Sequence, residues 1–306
     1  MSQSAPKKPR IAVIGLGSMG FGMATSLKRA GFEVTGCDVS ADAVGRFVSE
    51  GGKGAKTPAE AAREADIVVS VVVNAAQTET ILFGKNGVAE TLAKDAVFIS
   101  SATMDPDVAR RLAKQLEATG RHYLDAPISG GAQRAAQGEL TILASGSPTA
   151  FAKARPALDA MAAKLYELGD AAGQGAAFKM INQLLAGVHI AAASEAIAFA
   201  ARQGLDIRKV YDVITASAGN SWMFENRMPH VLDGDYAPRS AVEIFVKDLG
   251  IIQDMARNAR FPAPVAAAAL QMFLAAAGSG MGRDDDASVA RLYARISGTK
   301  IPGEPK

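Results

Sequence analysis

One lysine, Lys179, stands near the start of an apolar helical stretch in GQGAAFKMIN (173–182), with Asn182 and Gln183 following it at i+3 and i+4. A glycine-rich turn, GLGSMG, occupies residues 15–20. An amine that exchanges a proton and a nucleotide that takes up hydride are the two components needed to oxidise an alcohol. Residues one turn apart share a helix face, so Lys179, Asn182 and Gln183 are expected to point the same way. Partial burial favours the neutral amine that this chemistry requires. In that setting Asn182 would hold the lysine or a substrate hydroxyl.

GLGSMG directly follows the apolar run IAVI and precedes the helical run FGMATSLKRAG. In such a strand–turn–helix unit Gly15 allows the tight turn, Gly17 lets a pyrophosphate approach the backbone, and Gly20 permits close helix packing. Gly15, Leu16, Gly17, Ser18, Met19 and Gly20 are therefore the candidate cofactor contacts, with the helix N-terminus supplying N–H groups to the phosphates. Asp38 lies 18 residues after Gly20, at the end of the second apolar run. A carboxylate there accepts ribose hydroxyls and repels a 2′-phosphate, and no arginine follows in DVSAD to receive one, so NAD is the expected cofactor. A third constellation is DAPISGG (125–131). The hydroxyl of Ser129 and the unshielded N–H groups of Gly130 and Gly131 make a nest suited to a small carboxylate, or else a plain turn between strands.

The elements that carry these residues change character along the chain. From residue 10 to 168, short runs at 11–15, 33–38, 66–73, 96–101, 122–127, 140–146 and 164–169 alternate with alanine-rich helical stretches. This predicts βαβ units in a mostly parallel sheet, apolar on both faces and covered by helices. Beyond Gly175 the pattern is helical only: a long helix over 178–204 ending at Gly204, then helices near 206–217, 241–259, 264–277 and 285–296, with Asp206 and Ser240 as N-caps. The fold class is α/β, a Rossmann-type domain (1–172) followed by an all-α substrate and dimerisation domain (173–306). The DDD at 284–286 reads as a solvated helix start and the last nine residues as a frayed tail. His189 reads as a packed or hydrogen-bonded core histidine, with a second acid/base role as the alternative; His122 and His230 receive no chemical role, the last lying in an expected loop after Pro229. Trp222 and Phe224 are candidate walls of the substrate pocket or packing residues.

Composition excludes other classes. With 33 basic and 31 acidic residues among 306, the net charge is +2, and no Lys/Arg block forms a nucleic-acid footprint. The N-terminal MSQSAPKKPR lacks the apolar core of a secretory leader, and the apolar runs near 67–73 and 265–278 are too short to span a bilayer. The single cysteine, Cys37, fits a reducing cytosol, and one Cys with three scattered His gives no metal-ligand spacing. A cytoplasmic protein is expected, with a small hydroxy acid as substrate and neither nucleic acid nor membrane as partner. The alanine-rich helical half needs cover for its outer faces, so a homodimer or homotetramer is expected.

GLGSMGFGMA, DAPISGG and GQGAAFKMIN, in this order and spacing, resemble the β-hydroxyacid dehydrogenase family, which includes 3-hydroxyisobutyrate dehydrogenase and tartronate semialdehyde reductase. The resemblance covers about residues 10–297. It implies carboxylate contacts by Ser129, Gly130 and Gly131 and an acid/base role for Lys179. VVVN (71–74), SATMDP (101–106) and VKDLG (246–250) resemble cofactor-facing segments, implying Asn74, Thr103 and Lys247. The family usually carries Asn four residues after the lysine, where this chain has Gln183. NQLLAGVHIAAASEA with SWMFENRMPHVLDGDY looks most like the L-threonate dehydrogenase branch, which implies oxidation of the C2 hydroxyl of a four-carbon sugar acid. The rival readings are a 3-hydroxyisobutyrate dehydrogenase, a tartronate semialdehyde reductase and a non-catalytic cofactor-binding module. An imine reductase is disfavoured because Lys179 is present.

Overall fold

In the first strand Ile11 and Val13 point to one side and Ala12 and Ile14 to the other, and all four are buried, as a sheet covered on both faces demands. The computed structural model describes residues 8–304. The first seven residues, read above for a leader, and Pro305 and Lys306 lie outside the described residues. The chain divides into two compact units, Met1–Lys179 and Met180–Lys306.

In the first unit the order is β1 (Ile11–Ile14), α1 (Gly20–Arg29), β2 (Val34–Cys37), α2 (Ala41–Ser49), β3 (Lys53–Ala55), α3 (Pro58–Ala62), β4 (Ile67–Ser70), α4 (Ala75–Phe83), β5 (Val97–Ser100), α5 (Pro106–Glu117), β6 (His122–Asp125), β7 (Ile128–Ser129), α6 (Gly131–Gln137), β8 (Leu140–Ala144), α7 (Pro148–Met161) and β9 (Ala162–Glu167). The first six strands form an all-parallel sheet in the order β3-β2-β1-β4-β5-β6. Its order reverses between β1 and β4, where nucleotide sites form in doubly wound folds. One apolar cluster packs under Ile11, Val13, Ile67, Val69 and Leu124, and a second under Ala12, Ile14, Val68, Phe98 and Tyr123.

In this unit three features depart from the sequence reading. The runs at 140–146 and 164–169 do not join the main sheet but build a second, three-stranded one, β7-β8-β9, with β7 antiparallel to β8. β3 and β7 were not expected; they have three and two residues, too few for a periodic signal.

The long helix α8 (Gln174–Arg202) begins four residues before the expected 178. It is followed by α9 (Ile207–Thr215), α10 (Trp222–Asp233), α11 (Val242–Asn258), α12 (Pro264–Ala276) and α13 (Val289–Ser297). Within the second unit Phe245 stacks on Phe273, with ring centroids 5.1 Å apart, at the centre of one core cluster. Asp206 caps α9 as expected, but Ser240 does not cap α11: the cap position is Ala241, and the Ser240 carbonyl instead accepts from Asp286 N (2.7 Å).

α10 was not expected, and His230, expected in a loop after Pro229, lies within this helix. Proline removes the N–H that would bond Glu225 O, and the Tyr211 hydroxyl donates to that oxygen instead (3.2 Å). Phe224 is buried and stacked on Tyr211, which makes it a packing residue, while Trp222 is half exposed. The expected solvated DDD is mostly interior. Asp285 and Asp286 are fully buried, with His230 Nδ1 2.8 Å from Asp285 and Arg227 gripping Asp286 at 2.6 and 3.1 Å. The tail is tied down as far as Glu304, which accepts from both Arg291 and Arg295, and Ile301 is buried.

Two helical segments, Gln174–Arg202 and Pro264–Met281, are long and apolar enough to cross a bilayer by length and hydropathy, contrary to the run-length reading. Half of the apolar window of the first is buried inside the protein, as in a core helix.

Candidate active site

β1 ends at Ile14 and the chain turns at Gly15, whose φ is +96°. A Cβ at Gly15 would lie 2.4 Å from Val71 O, and one at Gly20 would lie 1.8 Å from Gly15 O, so both positions exclude any side chain. Gly17 is different: a Cβ there would meet no atom within 4 Å, which leaves the concave side of the turn open. No side chain caps the N-terminus of α1; Phe21 N donates to Gly17 O (3.0 Å), and the other leading N–H groups remain for an anion. This open cradle fits the pyrophosphate of a dinucleotide. Leu16 is buried in the sheet core, so it meets the loop through its backbone, and Met19 packs partly against the same core. Ser18 is exposed.

Asp38 closes β2 and ties the loop together. Its Oδ2 accepts from Leu16 N (2.6 Å) and its Oδ1 from Ser40 N (2.8 Å), which leaves outward lone pairs for a ribose. Beside it Cys37 is buried, and burial with the Asp38 charge pushes its thiol up to about 11, so it stays protonated and unreactive. Asn74 follows β4, and its Oδ1 caps α4 by accepting from Gln77 N (2.9 Å). Thr103 is half-buried in the loop after β5. Both stand at the carboxyl ends of sheet strands, on the same edge as Gly15 and Asp38.

Ser129, Gly130 and Gly131 do not form a plain turn. Ser129 ends β7, Gly130 (φ +137°) is the N-cap of α6 and Gly131 (φ +80°) opens that helix. Both φ values are positive, and no side chain caps the start of α6, so its leading amides are not taken up locally. α6 crosses α1 at Gly22, where a Cβ would lie 2.6 Å from Ala136 N. Close packing at that glycine sets the Ser129 segment beside the nucleotide helix.

Lys179 is buried, at 6% exposure, in the second turn of α8. The helix start lacks a local capping side chain, because Gly173 and Gly175 occupy it. Asp125, at the end of β6, supplies the cap: its Oδ2 accepts from Gly173 N (2.9 Å) and Ala176 N (2.8 Å). Ser145 Oγ accepts from Gly175 N (2.9 Å) and lies 3.3 Å from Asp125 Oδ2. Burial pushes the Asp125 carboxyl up to about 6, against the pull of these N–H and O–H donors. Sequence reasoning treated Asp125 as a strand residue and passed over Ser145. The available signal was a helix start built of glycines, which requires an acceptor from elsewhere.

In the second unit Gln183 is buried and its amide is held at both ends. Nε2 donates to Asp248 Oδ2 (2.5 Å), and Oε1 accepts from Asn182 Nδ2 (3.0 Å). Lys247 Nζ lies 2.7 Å from Asp248 Oδ1, which is off line for a hydrogen bond but close enough for an ion pair. Gln183 therefore orients Asn182, and Asp248 orients Gln183. Asp248 lies inside the quoted VKDLG stretch, yet only its lysine neighbour drew notice in the sequence.

Residues 10–169 match the family described as the NAD binding domain of 6-phosphogluconate dehydrogenase, and residues 173–293 match that described as NAD-binding of NADP-dependent 3-hydroxyisobutyrate dehydrogenase. The chain belongs to the β-hydroxyacid dehydrogenase family. As a member it is an NAD-dependent dehydrogenase, and its cofactor is NAD. Among family members, an L-threonate dehydrogenase of Cupriavidus necator is 52% identical, aligned over 96% of this chain and 98% of its own. The mitochondrial 3-hydroxyisobutyrate dehydrogenase of Rattus norvegicus is 31% identical over 94% and 88%. A crystal structure described as a 3-hydroxyisobutyrate dehydrogenase from Salmonella typhimurium is 48% identical, with a TM-score of 0.89 over 93% of this chain and all of that one.

Proposed function

We propose that this dehydrogenase oxidises the C2 hydroxyl of L-threonate to 2-dehydro-L-erythronate in the cytoplasm. The observation that carries the substrate is the 52% identity to an L-threonate dehydrogenase across almost the whole of both chains. The Gly15–Gly20 turn, Asp38, Asn74, Thr103 and Lys247 are the proposed holders of NAD. NAD⁺, when bound, takes up the hydride released from C2. The N–H groups of Gly130 and Gly131, with the Ser129 hydroxyl, bind the substrate carboxylate. Neutral Lys179 accepts the C2 hydroxyl proton as the C–H bond breaks, and the resulting ammonium returns that proton to solvent. Asn182, fixed by Gln183, directs an amide hydrogen bond to the substrate hydroxyl.

A second reading is oxidation of 3-hydroxyisobutyrate, favoured by the description of the Salmonella typhimurium structure. The two acids differ where it matters chemically. L-threonate carries polar hydroxyls along its chain and 3-hydroxyisobutyrate a methyl group, and a site built to hydrogen-bond hydroxyls rejects an analogue lacking them by about 10⁴-fold or more. Initial rates of NADH formation with L-threonate, D-erythronate, D-glycerate and 3-hydroxyisobutyrate decide between the readings. L-threonate should give the highest kcat/KM; a higher value for 3-hydroxyisobutyrate would overturn the substrate and leave the acid/base assignment intact. Lys179→Ala should lower kcat by about two to four orders of magnitude with either acid. Near-normal turnover in that variant would remove the lysine from the mechanism.

A further inference from the structure

We propose that Asp125 is the positioning residue for Lys179: through its buried carboxylate it anchors the first turn of α8 and thereby sets where the amine stands. The inference rests on the acid/base role given to Lys179 above.

An α-helix leaves its first four N–H groups without internal partners, and residues at the N-cap normally satisfy them with their own side chains. Here the N-cap position is Gly173, which has none. Its φ is +105° and a Cβ on it would lie 2.8 Å from Arg110 Cγ. Gly175 is equally committed, since a Cβ would lie 2.3 Å from Leu143 O and 2.9 Å from Asp125 O. The absence of side chains lets the helix start press against the ends of β6 and β8. Asp125 and Ser145 then reach three of the leading amides across 30 to 51 residues of sequence: Gly173 and Ala176 through the carboxylate, Gly175 through the hydroxyl. The two anchors are themselves locked, because Asp125 N donates to Ser145 O (3.0 Å) and Ser145 N to Asp125 O (2.8 Å).

This cap is better suited to positioning than a local one. A Ser or Asp at the N-cap would stabilise the helix but leave it free to shift as a body. A carboxylate borne on the main parallel sheet fixes the helix start to the same strand ends that present the nucleotide loop. Ala176 N, bonded at 2.8 Å, is three residues before Lys179, which is about 4.5 Å of helix rise. The negative charge also lies at the positive end of the 29-residue helix dipole. Burial raises the Asp125 carboxyl to about 6, so protonation near that pH removes the charge from the cap.

The test compares wild-type protein, Asp125→Asn, Ser145→Ala and Lys179→Ala with L-threonate and NAD⁺ across pH 5–10. Both N–H groups bond one oxygen, Oδ2, and in Asp125→Asn that acceptor becomes a neutral amide oxygen, whose hydrogen bonds are about half as strong, so the helix start is held less firmly. A displacement of about 1 Å at a catalytic group lowers rates by up to about 100-fold. Asp125→Asn should therefore lower kcat by 10- to 100-fold, leave KM for NAD⁺ within threefold, and abolish the acid limb near pH 6. Ser145→Ala should show the same pattern at about threefold, which keeps the test decisive if the first variant does not fold. Amide hydrogen exchange over 173–179, read on the protein without cofactor, should be faster in both. A folded Asp125→Asn protein with wild-type kcat and pH profile overturns the inference, as does a kcat loss matched by an equal rise in KM for NAD⁺. Should Lys179→Ala itself remain active, the acid/base reading fails first, and the exchange data still report whether Asp125 anchors the helix.

Discussion

Gly17→Ala separates cofactor binding from folding more cleanly than any other single change in this protein. Among the three glycines of the turn, only Gly17 has both an ordinary φ and room for a Cβ: Gly15 has φ +96°, and a Cβ on Gly20 would fall 1.8 Å from a backbone oxygen. A methyl on Gly17 meets no atom within 4 Å. The folded protein therefore accepts it without strain, and the loss of unfolded-chain freedom should leave stability unchanged or raise it by about 0.4–1 kcal/mol. The same methyl projects into the open side of the turn, where the pyrophosphate would approach. Displacing the phosphates by a methyl radius breaks at least one hydrogen bond to a charged acceptor, worth about 1.5–3 kcal/mol. That corresponds to roughly 10- to 150-fold weaker NAD⁺ binding. Calorimetric titration with NAD⁺, beside thermal melting of the cofactor-free protein, measures both quantities. Gly20→Ala is the contrast: its methyl collides with backbone that cannot swing aside, so melting temperature and affinity should fall together. An unchanged NAD⁺ affinity in Gly17→Ala, or a large loss of melting temperature, would refute the assignment of that open space to the cofactor.

Three further outcomes are expected. Asp38→Ser removes the carboxylate that repels a 2′-phosphate, and the ratio of kcat/KM for NAD⁺ over NADP⁺ should fall by about 10-fold or more; a ratio that holds steady would move cofactor selection elsewhere. Arg227→Met strands fully buried Asp286 without its bidentate partner, costing about 3–5 kcal/mol, seen as a lower midpoint in urea denaturation. A midpoint close to wild type would mean that another donor reaches Asp286. The third concerns pH. Asp125 is raised in the folded state from 3.8 to about 6, so the native protein holds its proton more tightly than the unfolded chain. Its contribution to stability is thus full below about pH 4 and lost as pH rises through about 6, a difference of about 3 kcal/mol. Urea denaturation of wild type and Asp125→Asn at pH 4.5 and 7.5 should show this slope in the first protein only.

Much of the nucleotide-binding unit was legible because its signals are local. Ile11 to Ile14, Ile67 to Ser70 and Val97 to Ser100 announce buried strands by their own composition, and the glycines at 15, 17 and 20 state the turn chemistry within six residues. Asp38 could be found because the βαβ unit fixes its distance from the turn. β3 and β7 escaped notice because their lengths carry no period. α10 was missed because no local signal shows that a helix runs through Pro229, whose missing N–H leaves the Glu225 carbonyl to the distant Tyr211 hydroxyl.

The residues proposed for the chemistry, Lys179, Asn182, Ser129 and the glycine turn, were picked out by type and spacing, since turns and helix faces follow from near neighbours. What only the tertiary structure decided is how they are held. Asp125 reaches Gly173 and Ala176 across 48 and 51 residues, Gln183 meets Asp248 across 65, and Arg227 meets Asp286 across 59. No periodicity or motif encodes such pairs. Each exists because a buried polar group must find a partner wherever the fold supplies one, and the fold alone sets which partner is within reach.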